Sequence, residues 1–191
     1  MTSELDREFA TLAERLAAST VRVEDAGGRG SGSGVVWDRR GLVLTNAHVV
    51  RGNYATLENA RGTRTRGKLI GRDREWDLAA LLVDPSALWL EPVEVRDAAT
   101  LRPGELVVAV GNPLGLVGAL TVGLVQRCNS RWVIADVRLA PGNSGGPLAD
   151  VAGRVVGINS MIAGGMALAV PTGAIADFLR TLGSESAMHA A

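Results

Sequence analysis

Twelve short strand-like runs, each bounded by turn residues, constrain this chain more than any other feature. They fall into two groups of six: 20–23, 32–37, 42–46, 54–57, 64–71 and 78–83, then 106–110, 120–127, 131–136, 147–150, 155–161 and 166–171. Turn signals such as Arg61-Gly62, Pro103-Gly104, Asn129-Ser130 and Ala152-Gly153 separate them. Runs this short and this evenly spaced suit strands that close on themselves. The expectation is an all-β fold with flanking helices, built from two six-stranded antiparallel β-barrels. Barrel one covers about 20–84, a connection with Pro85 and Pro92 covers 85–102, and barrel two covers about 103–171.

Each end reads as helix. In residues 1–19, Leu5, Phe9, Leu12 and Leu16 share one helical face, and Ser3 with Asp6 forms a capping pair. This amphipathic helix is expected to pack on the body or on a neighbouring subunit. At the other end Thr172 caps a helix over 172–183 that places Ile175, Phe178, Leu179 and Leu182 on one face, with Gly183 as its stop and 184–191 as a fraying tail.

Charge and cysteine exclude several classes. Twenty basic residues balance twenty acidic ones, so nucleic acid is not an expected partner. All but Lys68 are arginine, a usage that points to a GC-rich bacterial genome. Cys128 is alone, which rules out an internal disulfide and leaves no zinc site; it reads as a small buried strand residue. No run is apolar enough to span a membrane, and the charged first residues lack the apolar core of a secretory signal. Cytoplasmic residence is expected of the sequence as it stands, periplasmic if it is a piece of a longer chain. Gly28-Arg29-Gly30-Ser31-Gly32-Ser33-Gly34 lacks the Gly-Lys-Ser/Thr ending of a phosphate loop and leads into a strand, so it reads as a hairpin loop.

The chemistry sits in Pro141-Gly142-Asn143-Ser144-Gly145-Gly146-Pro147. On its own it is either a Gly-Pro turn with an incidental serine or a nucleophile exposed beside backbone donors. A nucleophilic serine needs a base, and there are two histidines. His189 lies in the tail; His48 ends the run Leu42-Val43-Leu44-Thr45-Asn46-Ala47. A lone histidine in an apolar run is usually a satisfied core residue, but one at a strand end can also be held as a base must be. Asp77 heads the run Leu78-Ala79-Ala80-Leu81-Leu82-Val83. It is either a strand-start cap or a carboxylate that orients the imidazole.

Taken together the motifs are more specific. Gly32-Ser33-Gly34-Val35-Val36, Thr45-Asn46-Ala47-His48-Val49-Val50, Asp77-Leu78-Ala79, Gly111-Asn112-Pro113-Leu114-Gly115 and Pro141-Gly142-Asn143-Ser144-Gly145-Gly146-Pro147-Leu148 resemble the protease domain of the HtrA (DegP/DegS-like) serine proteases, over about residues 20–171. The resemblance implies a chymotrypsin-like fold with the site in the cleft between the barrels. It implies a serine endopeptidase acting on proteins or peptides, with catalytic residues His48, Asp77 and Ser144 and no metal or organic cofactor. The oxyanion would be held by Gly142 and Ser144, with Asn143 a candidate third donor.

Around Ile158, Asn159 and Ser160 the chain resembles the family's substrate-pairing strand, and the primary pocket would be walled by Leu139, Ile158 and Leu168. Arg138, near where trypsin-type enzymes place an acid, argues against basic substrates; it either points outward or favours an acidic side chain. A homo-oligomer, a trimer in the family, is also implied. No PDZ domain is expected after Gly183. A second class stays open: a latent peptide-binding or chaperone-like module with the same residues.

Overall fold

Valine, leucine and alanine dominate the strands, and their alternation sets which face turns inward. The computed structural model describes residues 3–28, 30–87, 91–112 and 118–188. Strands β1 (Thr20–Asp25), β2 (Ser31–Val36), β3 (Leu42–Thr45), β4 (Tyr54–Glu58), β5 (Arg64–Asp73) and β6 (Leu78–Leu82) close into a barrel in the order β1-β2-β3-β6-β5-β4. Val21, Val23, Val36, Val43, Val50, Leu57 and Leu81 fill it, mostly β-branched valines that suit a half-buried pleated surface.

A second circuit holds β8 (Leu106–Gly111), β9 (Ala119–Cys128), β10 (Val133–Ala135), β11 (Pro147–Asp150), β12 (Arg154–Ala163) and β13 (Met166–Pro171). It closes through the β11–β12 pairing around a core that includes Val107, Val125, Val133, Leu148 and Val156. The two six-stranded antiparallel barrels expected from the sequence are both present.

Helix α1 (Glu4–Ala18) opens with the Ser3–Asp6 capping box, each backbone N–H accepted by the other's side chain at 2.9 and 3.1 Å. Leu12 and Leu16 are buried against Val108, Val110, Ala149 and Val155 of the second barrel. The helix therefore packs on the body, though Leu5 stays 59% exposed and outside the contact.

Helix α2 (Thr172–Met188) covers the seam between barrels. Ala174, Ile175 and Phe178 join Val35, Leu44 and Leu78 of the first barrel and Ile158 and Val170 of the second in one buried cluster. Two expectations are corrected at this end. The helix runs through Gly183 instead of stopping there. A mid-helix glycine costs only about 1 kcal/mol, and Leu182 lies in the hollow left by Gly71, where a Cβ would come within 1.9 Å of it. The Thr172 hydroxyl does not cap its own helix: it accepts from the Ala98 N–H and donates to the Arg96 carbonyl, tying the connection to the seam. His189 lies outside the described residues.

The connection also carries structure the sequence does not announce. Strand β7 (Glu94–Val95) pairs in parallel with Arg154–Val155 of β12, and a 3-10 turn follows at Ala98–Thr100. Arg96 then reaches Glu105 at 2.7 Å and Asp150 at 3.4 Å, with Arg154 completing the cluster at 2.7 Å from Asp150. Cys128 is half-buried against the second core, and its Sγ–H is directed to the Ala98 carbonyl at 3.1 Å.

Candidate active site

Strands β3 and β6 pair in the register Thr45↔Ala79, which brings the residues after β3 beside those before β6. Asp77 sits at that junction with φ 55°, the one non-glycine described residue with positive φ. Such a conformation costs on the order of 1–3 kcal/mol and persists only where its surroundings hold it. They do so here. The Ala47 N–H and the Asn46 amide both donate to the Asp77 carbonyl, at 3.1 and 3.0 Å.

The carboxylate is held as firmly. Oδ1 accepts from the His48 N–H at 3.0 Å; Oδ2 lies 2.8 Å from His48 Nδ1 and accepts from the Ser160 hydroxyl at 2.7 Å. With Nδ1–H donating to the carboxylate, a neutral imidazole presents Nε2 as an acceptor. The His48 side chain is 52% exposed and that of Asp77 19%. Burial pushes the Asp77 carboxyl up, but the hydrogen bonds from His48 and Ser160 outweigh it and leave it below the ordinary carboxylate value.

Ser144 lies on a loop shaped without bulky side chains. Gly142 and Gly145 have φ 107° and 85°. At Gly145 a Cβ would stand 2.1 Å from the Ser33 carbonyl oxygen, so no other residue fits. Backbone bonds pin the loop on both sides: Asn143 N–H to Ala140, Gly146 N–H to Asn143, Gly145 N–H to Asn159, and Asn159 N–H back to Gly146. Across the cleft the Ser33 N–H donates to the Ser144 carbonyl at 2.8 Å, and the Ser33 hydroxyl to the Gly142 carbonyl at 2.7 Å. That hydroxyl also accepts from the Asn112 N–H and side-chain amide, at 2.9 and 3.2 Å.

Among the described residues the Gly142 and Ser144 N–H groups have no acceptor. Both are therefore available to donate to an incoming group. Asn143, the expected third donor, is corrected: its N–H is spent on Ala140 at 3.0 Å. The Ser144 hydroxyl donates to the Ser160 carbonyl at 3.2 Å, and among the described residues no hydrogen bond joins it to His48.

The expected specificity residues do not converge. Ile158 is fully buried in the cluster at the seam, so its side chain presents no wall to a substrate. Asn159 is likewise buried, its N–H and carbonyl both taken by the Ser144 loop. The free edge of β12 begins further on. Pairing with β11 ends at Ile158, and residues 160–163 are backed by β13 alone, with Met161 and Ile162 exposed. Leu139 is half-buried against the second core, and Leu168 is half-buried on β13 opposite Ile134 and Met161. Arg138 points outward, exposed and without a partner among the described residues.

Among the described residues no group of three or more His, Cys, Asp or Glu is placed to hold a metal ion, and no helix is long and apolar enough to cross a membrane.

The family model for a trypsin-like peptidase domain matches residues 32–158, which takes in His48, Asp77 and Ser144. The chain belongs to the trypsin-like peptidase family. Within it, the chain is 38% identical over 164 residues to Protease Do-like 1, chloroplastic, of Arabidopsis thaliana, covering 79% of this chain and 37% of that protein. It is 34% identical over 163 residues to Serine protease HTRA1B of Danio rerio, covering 78% and 34%. The chain thus spans about a third of the length of these relatives. Its fold is similar to the crystal structure of the serine endoprotease from Yersinia pestis, with a TM-score of 0.82 at 28% identity, covering 95% of this chain and 67% of that one.

Two residues of this trypsin-like domain matter in ways sequence reasoning missed. Ser160 was expected to offer its backbone to substrate; its hydroxyl also fixes the Asp77 carboxylate. Ser33 reads from sequence as a member of a glycine-rich hairpin and of a family motif with no role assigned to it, yet it bolts the first barrel to the Ser144 loop. Nothing local signals either contact, because each spans more than eighty residues of chain.

Proposed function

We propose that this chain is a serine endopeptidase that cleaves extended segments of protein substrates through Ser144, His48 and Asp77. The observation that carries the reading is the His48 Nδ1–Asp77 Oδ2 contact at 2.8 Å, which leaves Nε2 free to act as a base beside a serine flanked by two unengaged N–H groups.

The substrate backbone adds to the open edge of β12 from Ser160 onward. The Ser144 hydroxyl rotates from the Ser160 carbonyl to His48 and attacks the peptide carbonyl. A bond forms between Ser144 Oγ and the carbonyl carbon, and the proton passes to Nε2. The Gly142 and Ser144 N–H groups receive the oxyanion. The proton then goes to the leaving nitrogen as the C–N bond breaks, and water repeats the sequence on the acyl-enzyme. Asp77 holds the imidazole in the needed tautomer and favours its charged form.

One observation favours a second reading, a latent peptide-binding module: the Ser144 hydroxyl rests on Ser160, not on His48. Labelling decides between them. A sulfonyl fluoride should modify Ser144 stoichiometrically, and Ser144→Ala should abolish both labelling and hydrolysis of an unfolded protein while leaving thermal unfolding unchanged. Folded protein that takes up no label is the binding module.

A further inference from the structure

Beside His48 lies a cavity of about 340 Å³ lined by Ala47, His48, Val50, Arg51, Arg72, Arg74 and Asp77. Three of its side chains are guanidinium groups. Its one acid, Asp77, is already engaged by His48 and Ser160. None of Arg51, Arg72 and Arg74 has a carboxylate partner among the described residues. The neighbouring acids are committed elsewhere. Asp73 accepts the N–H groups of Glu75 and Trp76, Glu75 faces Arg131 at 3.7 Å, and Asp25 accepts from the N–H groups of Arg51 and Gly52.

Arg72 shows that the charge is held in place. Its Nη2 donates to the Val50 and Gly52 carbonyls at 2.6 and 3.1 Å, fixing the guanidinium against the segment that follows His48. Its Nε is buried and has no acceptor. A buried donor left unpaired is unfavourable, so the side chain is held there at a cost.

We infer that this cavity takes an acidic side chain of the substrate, at the residue preceding the one whose carbonyl Ser144 attacks. The inference rests on the endopeptidase reading for the direction of the bound peptide. Successive side chains of an extended peptide point to opposite sides. A residue whose side chain faces the second barrel, where the Ser144 loop and Leu139 lie, has a predecessor facing the first barrel, where the cavity lies. A carboxylate there meets three cations and no free acid.

The test measures binding, so it does not depend on turnover. Labelled extended peptides differing only at that position, Glu, Gln or Lys, are titrated into the Ser144→Ala protein by fluorescence anisotropy. The Glu peptide should bind about fivefold more tightly than the Gln peptide, and Lys more weakly than Gln. The difference should shrink as salt shortens the screening length. Replacing the exposed Arg51 and Arg74 together by Ala should remove most of the Glu preference and leave the Gln peptide unaffected; Arg72 is kept because it braces the backbone. Equal affinities for Glu and Gln, no binding of Glu, or a preference untouched by the double variant overturns the inference. Failure of the endopeptidase reading appears separately, as folded wild-type protein that takes no sulfonyl label.

Discussion

The two barrels hold their parts of the site by different means. The first barrel positions His48 and Asp77 at neighbouring strand ends, within one register and through four hydrogen bonds local to that junction. The second presents Ser144 on a loop whose shape depends on glycines and on contacts reaching across the cleft to Ser33. The first half is set largely by its own sheet, with one bond from the second barrel, the Ser160 hydroxyl to Asp77 Oδ2; the other is complete only when the barrels are docked. Damage to the first half should therefore be chemical and confined, whereas damage to the second should mix stability with rate.

The sharpest break in that contrast is Asp77→Asn, with the largest expected effect. Asparagine tolerates positive φ at least as well as aspartate, so the φ 55° conformation survives. Its amide, however, cannot both accept from Nδ1–H and supply a charge. The imidazole should turn to the wrong tautomer, with turnover falling by about four orders of magnitude. Kinetics on an unfolded protein substrate, paired with a thermal melt, check this. A loss under tenfold would remove Asp77 from the role.

Ser33→Ala probes the other half and should cost less. It strips the donor from the Gly142 carbonyl and the acceptor from both Asn112 nitrogens in a fully buried place. Unpaired buried groups of this kind cost about 1–3 kcal/mol. Loss of the clamp also frees the peptide between Gly142 and Ser144, and a misplaced oxyanion site lowers turnover by about tenfold to a hundredfold. KM should change little. If the melting temperature falls while turnover by the folded protein is unchanged, Ser33 holds the barrels together and does nothing for the loop.

How much was legible in the sequence follows the same division. The barrel strands are readable because valine-rich runs such as Val21–Val23 and Val107–Val110 carry their own pattern, and the serine loop because its glycines have no other use. Strand β7 is two residues long and exists only because β12 is there to pair with it. The end of α2 is misjudged because Leu182 meeting Gly71 outweighs the local signal of Gly183. Ile158 reads as a pocket wall in one dimension, yet α2 folds over the seam and buries it. The arginine-lined cavity is equally silent, since Arg51 and Arg72 become neighbours only when Arg72 reaches the Val50 and Gly52 carbonyls.

Acid should reveal a smaller difference between the halves. Asp77 serves the first barrel and Asp150 the second, and both carboxyls lie below their ordinary value of 3.8. For Asp150, burial pushes the value up, and bonds from Arg154, with a further one from Arg96, more than reverse it. A carboxyl whose value is lower in the folded than in the unfolded chain stabilises the fold fully above its unfolded value, and that stability is lost as pH falls through the folded one. The melting temperature should thus be level above about pH 5 and decline below about pH 4. Asp150→Asn removes one such contribution, while Asp77, Asp38 and Glu105, also held low, keep theirs. Its melting temperature should start lower at neutral pH, because Arg96 and Arg154 lose a partner, and then decline less steeply on acidification. An equally steep decline in Asp150→Asn would show that Asp150 itself carries none of the acid sensitivity.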